Sequence, residues 1–405
     1  MIGLKRNIVL FVLSVLLANS AISGTLKITG GPYLQQAADD GMTIVWRTNR
    51  PCVSRVEYGP GFGRSAVASR HGLIDADTTL HRIRIDGLAT GATCDYRIAS
   101  TEITLFKPYE VVYGETVTTG PFQFTTLDPG KTAYSFVVLN DRHEKIPAFE
   151  RALGSIDWRG VDLVILNGDM LNHAESEDQV FASVVDPCVA AFARAVPFVY
   201  VRGNHEARGR FARRLLDYFP SEGDRYYYSF DHGPVHFIVL DAGEDKEDAN
   251  KEYFGLVDFD RYRAEQTEWL RRDLASEAAQ VGQVGNLPGQ VSNPPHFRVV
   301  LVHIPLDGAQ GHGSTDAREQ WLALLDEAGT DLMLAGHIHR YVRTMHETEN
   351  GGYPIVTGSI DTVIRVNVTN EQLEAIVFKD DGTKADEQSV FVPTRTSRQL
   401  EGAVK

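Results

Sequence analysis

Cysteine is scarce in this sequence, which has only Cys52, Cys94 and Cys188 among 405 residues. Three cysteines are too few for a disulfide framework, and too few for a metal site built from thiolates. Only Cys52 and Cys94 fall within one predicted domain. The sequence therefore excludes a fold held together by disulfides and leaves a single bridge open.

Positive charge is in deficit, and apolar runs long enough to span a bilayer are missing. The sequence has 40 Lys and Arg against 54 Asp and Glu, a formal net charge of -14, which argues against a nucleic-acid or anionic-membrane partner. The apolar stretch Ile8 to Ala18 follows Lys5 and Arg6 and is typical of a secretory signal, which we place at residues 1–23. We expect export, to a periplasm or out of the cell, with no further membrane association; an uncleaved signal anchor is the alternative.

A chain of this length exceeds one typical core, so two domains are expected. Residues 24–128 alternate between apolar and polar side chains, as at Met42, Ile44 and Trp46, and Gly, Pro and Asp separate the runs. This pattern predicts an all-β sandwich. A Pro-Gly linker follows, and an α/β domain is predicted over residues 131–392, before a polar tail at 393–405.

The second domain is predicted from continuous apolar runs, which belong to strands buried on both faces. These runs are Ser135–Leu139, Leu163–Leu166, Pro197–Val201, Val299–Val302 and Leu332–Ala335. Helical spacing from Tyr262 to Leu274 predicts a helix with Asp258 or Asp260 as its N-cap. Residues 226–240 read as a hairpin, and residues 281–296 as a loop insertion.

Each of these apolar runs ends at side chains able to bind a metal ion. They are Asp141, His143, Asp169, Asn204, His303, His337 and His339. Any one alone has an ordinary turn or cap residue as its alternative. Carboxylate, imidazole and amide ligands suit a pair of divalent ions, which lower the pKa of a bound water and hold phosphate oxygens against positive charge. The pattern predicts a metal centre at neighbouring strand ends, and hydrolysis of a phosphate ester.

Five motifs in order carry a family resemblance: Asp141-x-His143, Gly168-Asp169, Gly203-Asn204-His205-Glu206, the strand-ending His303 and Gly336-His337-x-His339. Together they resemble the calcineurin-like metallophosphoesterase superfamily over roughly residues 131–390. The resemblance implies a four-layer α/β/β/α sandwich that holds two divalent ions, of Mn, Zn or Fe.

The resemblance also implies roles for individual residues. One ion would be held by Asp141, His143, Asp169 and His339, and the other by Asp169, Asn204, His303 and His337. A metal-bridging hydroxide would attack, and His205 would protonate the leaving oxygen as a general acid. Glu206 would orient His205, with a structural ion pair as its equal alternative.

Four further residues are candidates for contact with the substrate. Arg142 could clamp phosphate oxygens, with a solvated surface charge as its alternative. Asn172 and His173 could line the pocket or serve only the loop, and His312 lies on the segment after His303. The substrate is expected to be a phosphomonoester or a phosphodiester, and the sequence does not separate the two.

The N-terminal segment, which opens with Gly31-Pro32-Tyr33-Leu34-Gln35, is similar to the N-terminal domain of purple acid phosphatases. Residues 87–98 resemble the corner of fibronectin type III domains, with Cys94 where the corner Tyr is usual. That alignment places Cys52 and Cys94 at opposite ends of a sheet, so we expect no bond between them.

Two departures from purple acid phosphatases bear on the metals. His143 stands where those enzymes have Gly, and Asn172 where they have a metal-binding Tyr. Without the phenolate we expect a colourless enzyme with two like divalent ions. Two rival functions are a non-catalytic binding or adhesion protein on a metallophosphoesterase scaffold, and a metal-dependent hydrolase of a non-phosphate ester.

Overall fold

The computed structural model describes residues 24–276, 297–349 and 351–394. The predicted signal peptide at 1–23, the loop at 281–296 and all but the start of the polar tail at 393–405 lie outside this part of the chain. Within the described ranges, no helix combines the length and apolar character needed to cross a membrane.

The N-terminal region is built from strands, as predicted. They are β1 (Ile28–Gln35), β2 (Met42–Tyr58), β3 (Arg64–Ala66), β4 (Ser69–Arg70), β5 (Leu73–Ile74), β6 (Thr78–Ile85), β7 (Thr93–Lys107) and β8 (Glu110–Thr125). The first half of β2 pairs with β1 and β6, and its second half with β3 and β7, so β2 serves both halves of one six-stranded sheet. Apolar side chains from both halves, such as Trp46 and Tyr96, pack into one core. The likeness to fibronectin type III stays a prediction.

Cys52 and Cys94 are unpaired, as expected, and so is Cys188; all three are buried. Cys52 lies opposite Glu102 on β7, whereas Cys94 lies near the start of that strand, opposite Phe124. The separation along β7 is eight residues, or about 27 Å at the rise of an extended strand. Strand register therefore keeps the two thiols apart.

Among the residues that the structure describes, the α/β region contains two six-stranded sheets. The first has the order β11-β10-β9-β18-β19-β20 and the second β12-β13-β14-β15-β17-β16. Their bounds are β9 (Ala133–Leu139), β10 (Val161–Asn167), β11 (Phe198–Val201), β12 (Tyr228–His232), β13 (Val235–Leu240), β14 (Phe297–Val302), β15 (Leu332–Ala335), β16 (Val342–His346), β17 (Tyr353–Thr357), β18 (Thr362–Thr369), β19 (Gln372–Lys379) and β20 (Val390–Pro393). The predicted hairpin is β12 with β13.

Helices cover the outer face of each sheet. They are α1 (Ile146–Ser155), α2 (Glu177–Val180), α3 (Asp186–Ala191), α4 (Leu215–Tyr218), α5 (Phe259–Leu274) and α6 (His312–Ala328), with a π-helical turn at Phe181–Val185. Trp269 of α5 and Trp321 of α6 pack on the second sheet, and Phe149 of α1 packs on the first. A third core lies between the sheets. This is the predicted four-layer α/β/β/α fold, which is confirmed.

Helix α5 begins where the sequence predicts, but its cap differs. Asp258 occupies the N-cap position without a capping hydrogen bond from its side chain. Instead the carboxylate of Asp248 accepts the backbone N–H groups of Phe259 and Asp260, at 2.9 and 3.0 Å. Asp260 bonds to Arg263 instead. A residue eleven positions before the helix therefore satisfies two of its free N–H groups.

The N-terminal strands pack directly on the α/β region. The Tyr33 hydroxyl donates to the Tyr218 carbonyl at 2.8 Å, and Gln35 Nε2 donates to the Phe198 carbonyl at 2.9 Å. Tyr33 also belongs to the core under the first sheet. The predicted boundary between the two domains, at residues 128–131, stays a prediction.

Candidate metal centre

The predicted ligands converge at one edge of the two sheets. Strands β9, β10 and β11 run parallel, as do β14 and β15, so their carboxyl ends open on the same side. The side chains that follow these strands form two groups whose ligand atoms lie within 4.8 Å of one another: Asp141, His143, Asp169 and His339, and Asp169, His303 and His337. Asp169 belongs to both groups.

The seventh predicted ligand, Asn204, closes the second group. Its Oδ1 atom lies 3.1 Å from Nδ1 of His337. In the first group, Nε2 of His143 lies 2.9 Å from Nε2 of His339, which is itself 3.4 Å from Oδ1 of Asp141. Nitrogen and oxygen atoms from distant parts of the chain thus face one another at separations usual between ligands of one ion.

Two buried ligand atoms in the second group face each other in a way that favours a cation beside them. Oδ2 of Asp169 and Nε2 of His303 lie 3.1 Å apart, and neither has a hydrogen-bond partner among the described residues. His303 Nδ1 is 2.8 Å from the Asn167 carbonyl, which can only accept, so Nδ1 carries the proton. Nε2 of His303 therefore faces the carboxylate either with a second proton or with a lone pair, and a metal ion bound to that lone pair would take the place of the proton.

The pKa shifts of the buried ligands also favour positive charge in the site. Burial disfavours ionised Asp169, but the charges of His303 and His205 outweigh it and lower the pKa. Asp141 is buried too, and its pKa is lowered by its bond with His339 and by His303. Burial disfavours charged His303, but Asp169 and Asp141 raise its pKa to about 10. Positive charge is thus favoured between the two carboxylates.

His337 has the opposite electrostatic setting. Burial, and then the charge of His303, lower the pKa of His337 to about 4. Its imidazole is therefore neutral at ordinary pH and able to donate a lone pair to a metal.

The backbone around the site is strained. Five candidate ligands have left-handed φ angles: Asp141 at 54°, His143 at 46°, Asp169 at 53°, His337 at 74° and His339 at 55°. Such conformations cost on the order of 1–3 kcal/mol each and collect at functional sites. Gly168 also has a left-handed φ, of 83°, and a Cβ there would come within 2.5 Å of the His303 ring. The Gly-Asp motif is therefore required by both the turn and the packing.

Glu206 has a structural role, as one of its two predicted alternatives had it, but through hydrogen bonds instead of an ion pair. Its buried carboxylate accepts the backbone N–H groups of Asp169, Leu171 and Gly203 at 2.9 to 3.0 Å, and the Tyr200 hydroxyl at 3.0 Å. These bonds connect the loops that carry Asp169 and Asn204. Glu206 holds backbone rather than orienting the His205 ring.

His205 lies beside the metal centre, and its ring is held at both nitrogens. Nδ1 is 2.9 Å from the Asn172 carbonyl, and Nε2 is 3.1 Å from the Arg208 guanidinium. Because a carbonyl only accepts and a guanidinium only donates, Nδ1 carries the proton and Nε2 accepts. Nε2 is also 3.9 Å from Oδ2 of Asp169.

Asn172 and His173 lie on the exposed loop next to His205. The side chain of Asn172 donates to the carbonyl of His143 at 3.2 Å, and the carbonyl of His173 accepts from Gln179 at 2.7 Å. Their contacts fit the loop role, and the Asn172 side chain lies beside the backbone of His143.

Two predicted substrate contacts are placed elsewhere. Arg142 is neither a phosphate clamp nor a solvated charge, because its buried guanidinium pairs with Asp380 at 2.8 Å and donates to the carbonyls of Ile360 and Thr362. It anchors the loops beside β18. His312 bonds to Asp260 at 2.8 Å, linking α6 to α5.

Arg208 is the residue at this site that sequence reasoning missed. It follows His205 by three positions, and a short 3₁₀-helix, His205–Ala207, brings the two side chains together. The i, i+3 spacing after a candidate acid was the only signal for it.

Comparisons with known proteins agree with this geometry. Residues 134–341 match the family model described as Calcineurin-like phosphoesterase. Purple acid phosphatase 18 of Arabidopsis thaliana is 24% identical over 381 residues, covering 89% of this chain and 75% of that protein. Purple acid phosphatase 22 of the same plant is 25% identical over 299 residues, 67% of this chain and 61% of its own length.

Two solved structures share the fold. Purple acid phosphatase PPD1 from yellow lupin (Lupinus luteus) seeds superposes with a TM-score of 0.65 at 16% identity, over 89% of this chain and 74% of that one. The structure of PhoD gives 0.58 at 13% identity, over 91% and 90%. At these identities the likeness concerns the fold alone.

Proposed function

This chain belongs to the calcineurin-like phosphoesterase family and is a metal-dependent phosphoester hydrolase, and from that premise we propose that it is an exported enzyme with two metal ions. The observation that carries the proposal is the place of Asp169, whose carboxylate belongs to both groups of candidate ligands. One shared carboxylate is what a pair of ions about 3.5–4 Å apart requires.

In this proposal Asp141, His143, Asp169 and His339 hold one ion, and Asp169, Asn204, His303 and His337 hold the other. A bound pair would lower the pKa of a water molecule and balance the charge of the phosphoryl oxygens. The mixed nitrogen and oxygen ligands fit Mn, Zn or Fe(II). Asn172 offers no phenolate, so we propose two like divalent ions and a colourless protein.

The chain's own residues prepare the site for that chemistry. Glu206 fixes the loops that present Asp169 and Asn204, and the Asn172 carbonyl fixes the tilt of His205. His205 faces the centre, so we propose that it contacts the phosphate and gives a proton to the leaving oxygen. That step needs a proton on Nε2, so NH1 of Arg208 has to exchange its hydrogen bond to that nitrogen for one to another acceptor.

The remaining parts of the proposal rest on sequence. Export rests on residues 1–23. The substrate is a phosphomonoester or a phosphodiester, and the non-catalytic alternative is disfavoured because all seven candidate ligands are present at one edge.

Purified protein with Mn²⁺ should hydrolyse p-nitrophenyl phosphate or bis(p-nitrophenyl) phosphate, and inorganic phosphate or vanadate should inhibit it. Asp169→Ala and His337→Ala should each abolish turnover. Activity unchanged in either variant would rule out this site. Hydrolysis of carboxylic esters without inhibition by phosphate would favour the non-phosphate alternative.

A further inference from the structure

We propose that Arg208 binds a phosphoryl oxygen of the substrate and so makes the enzyme selective for phosphomonoesters. This inference rests on the proposed function, since it names the substrate class of the same site. It begins from the position of the guanidinium, whose NH1 lies 3.1 Å from His205 Nε2. His205 Nε2 is in turn 3.9 Å from the carboxylate of Asp169, so Arg208 lies at the rim of the metal centre.

The guanidinium is held in place by a buried partner. Glu244, whose side chain is 1% exposed, accepts Nε of Arg208 at 2.6 Å and NH2 at 2.8 Å. This two-pronged contact fixes the plane of the guanidinium, which a single hydrogen bond does not. Arg208 itself is 33% exposed, so one side remains open to a ligand.

Arg208 also has N–H groups that are free to bind a further acceptor. A guanidinium carries five N–H groups. Glu244 takes two and His205 takes one, and within the described ranges the remaining two have no acceptor. Because Glu244 balances the positive charge, Arg208 acts here as a directed hydrogen-bond donor. A charged oxygen placed over the metal centre is a stronger acceptor than the neutral imidazole that NH1 now contacts.

The number of oxygens decides the substrate class. A phosphomonoester has three non-bridging oxygens that share two negative charges, whereas a phosphodiester has two that share one. A bound pair of metal ions would account for two of these oxygens. The third oxygen of a monoester then needs a donor, and Arg208 lies where it can provide one; in a diester that oxygen carries the second alcohol.

The test compares Arg208→Met with the wild-type holoenzyme, using p-nitrophenyl phosphate and bis(p-nitrophenyl) phosphate. We expect kcat/KM for the monoester to fall by about 30-fold or more, the order expected for a lost charge-assisted hydrogen bond. For the diester it should change by less than about threefold, since no such bond is lost. Arg210→Met is the matched control, because Arg210 is 84% exposed and pairs only loosely with Glu175.

Binding of inorganic phosphate, measured by calorimetry on metal-loaded protein, gives a readout apart from turnover. The Kd should weaken in Arg208→Met by a factor comparable to the loss with the monoester, and stay unchanged in Arg210→Met. If Arg208→Met is unstable because Glu244 is left buried and unpaired, Arg208→Met with Glu244→Gln removes that charge and should show the same selectivity.

Equal losses with both esters would overturn the proposal, because they would mean that Arg208 only positions His205. Unchanged monoester turnover and unchanged phosphate binding would overturn it as well. If the wild type cleaves neither ester with metal bound, the proposed function fails, while the change in phosphate Kd still decides the role of Arg208.

Discussion

Nε2 of His303 and Oδ2 of Asp169 lie 3.1 Å apart in the interior, and across the described residues neither atom has a hydrogen-bond partner. Buried polar atoms are nearly always paired, so two unpaired atoms that face each other point to a missing positive charge. The two residues follow β10 and β14, which belong to different sheets. Their contact therefore brings side chains that follow strands of both sheets together at the candidate metal centre.

The first prediction concerns metal content. Asp169 belongs to both groups of ligands and His339 to only one. Purified wild-type protein should contain about two ions per chain. Asp169→Ala should contain almost none and His339→Ala about one, as measured by inductively coupled plasma mass spectrometry after dialysis.

His173→Ala is the control for metal content, because His173 is an exposed neighbour outside both groups. It should retain about two ions. A full pair of ions in Asp169→Ala would contradict the shared carboxylate.

The second prediction concerns Glu206. Its carboxylate accepts three backbone N–H groups and the Tyr200 hydroxyl. Gln in its place keeps one oxygen and turns an N–H₂ group toward buried donors, so unfolding free energy should fall by on the order of 2–4 kcal/mol. Urea denaturation measures this, and metal affinity should fall with it because the loops carrying Asp169 and Asn204 loosen.

Glu175→Gln is the comparison for Glu206, since Glu175 is 44% exposed and pairs with an exposed arginine. Its unfolding free energy should stay within about 0.5 kcal/mol of the wild type. Equal stability of Glu206→Gln and wild type would show that the carboxylate is not needed to hold the loops.

The third prediction is a pH dependence of stability, away from the metal centre. Burial disfavours charged His236, but hydrogen bonds to Asp231 and Asp273 outweigh it and raise its pKa to about 9. Because the folded pKa exceeds the unfolded value of about 6.5, this stabilisation is complete below pH 6.5 and is lost as pH rises through about 9.

His236→Gln should therefore lower the unfolding free energy at pH 6 by on the order of 3 kcal/mol, and by clearly less at pH 10. Urea denaturation at the two pH values measures the difference. His71→Asn, at an exposed position, should match the wild type at both. A His236→Gln deficit that is the same at pH 6 and pH 10 would mean that the imidazole is not charged in the fold.

The fourth prediction concerns colour. Asn172 lies beside the centre, but its amide donates to the His143 carbonyl and has no phenolate to offer. Protein loaded with iron and oxidised should show no intense visible charge-transfer band. A purple band that shifts on adding phosphate would show that some other phenolate binds the iron.

The ligands were predictable because parallel strands end along one edge, so polar residues after apolar runs must meet there. The convergence of these ligands at one edge follows from the strand directions and does not depend on the details of loop packing. A layered α/β domain followed from the same runs, since strands apolar on both faces need cover on both sides. Its four layers were implied by the resemblance to metallophosphoesterases.

The side-chain roles that the sequence did not predict depend on contacts between residues far apart in the chain. Arg142 follows a ligand directly, yet its guanidinium pairs with Asp380, 238 positions later, and sequence spacing carries no sign of that partner. The cap of α5 comes from Asp248 instead of the adjacent aspartates. The guanidinium of Arg208 is positioned by Glu244, which lies 36 residues later in the chain.

The central claim is that Asp169 joins two metal ions, and anomalous diffraction from crystals grown with Mn²⁺ tests it most directly. We predict two peaks about 3.5–4 Å apart, one on each side of the Asp169 carboxylate. The first should contact Asp141, His143 and His339, and the second Asn204, His303 and His337. A single peak, or two peaks that do not share Asp169, would contradict the account.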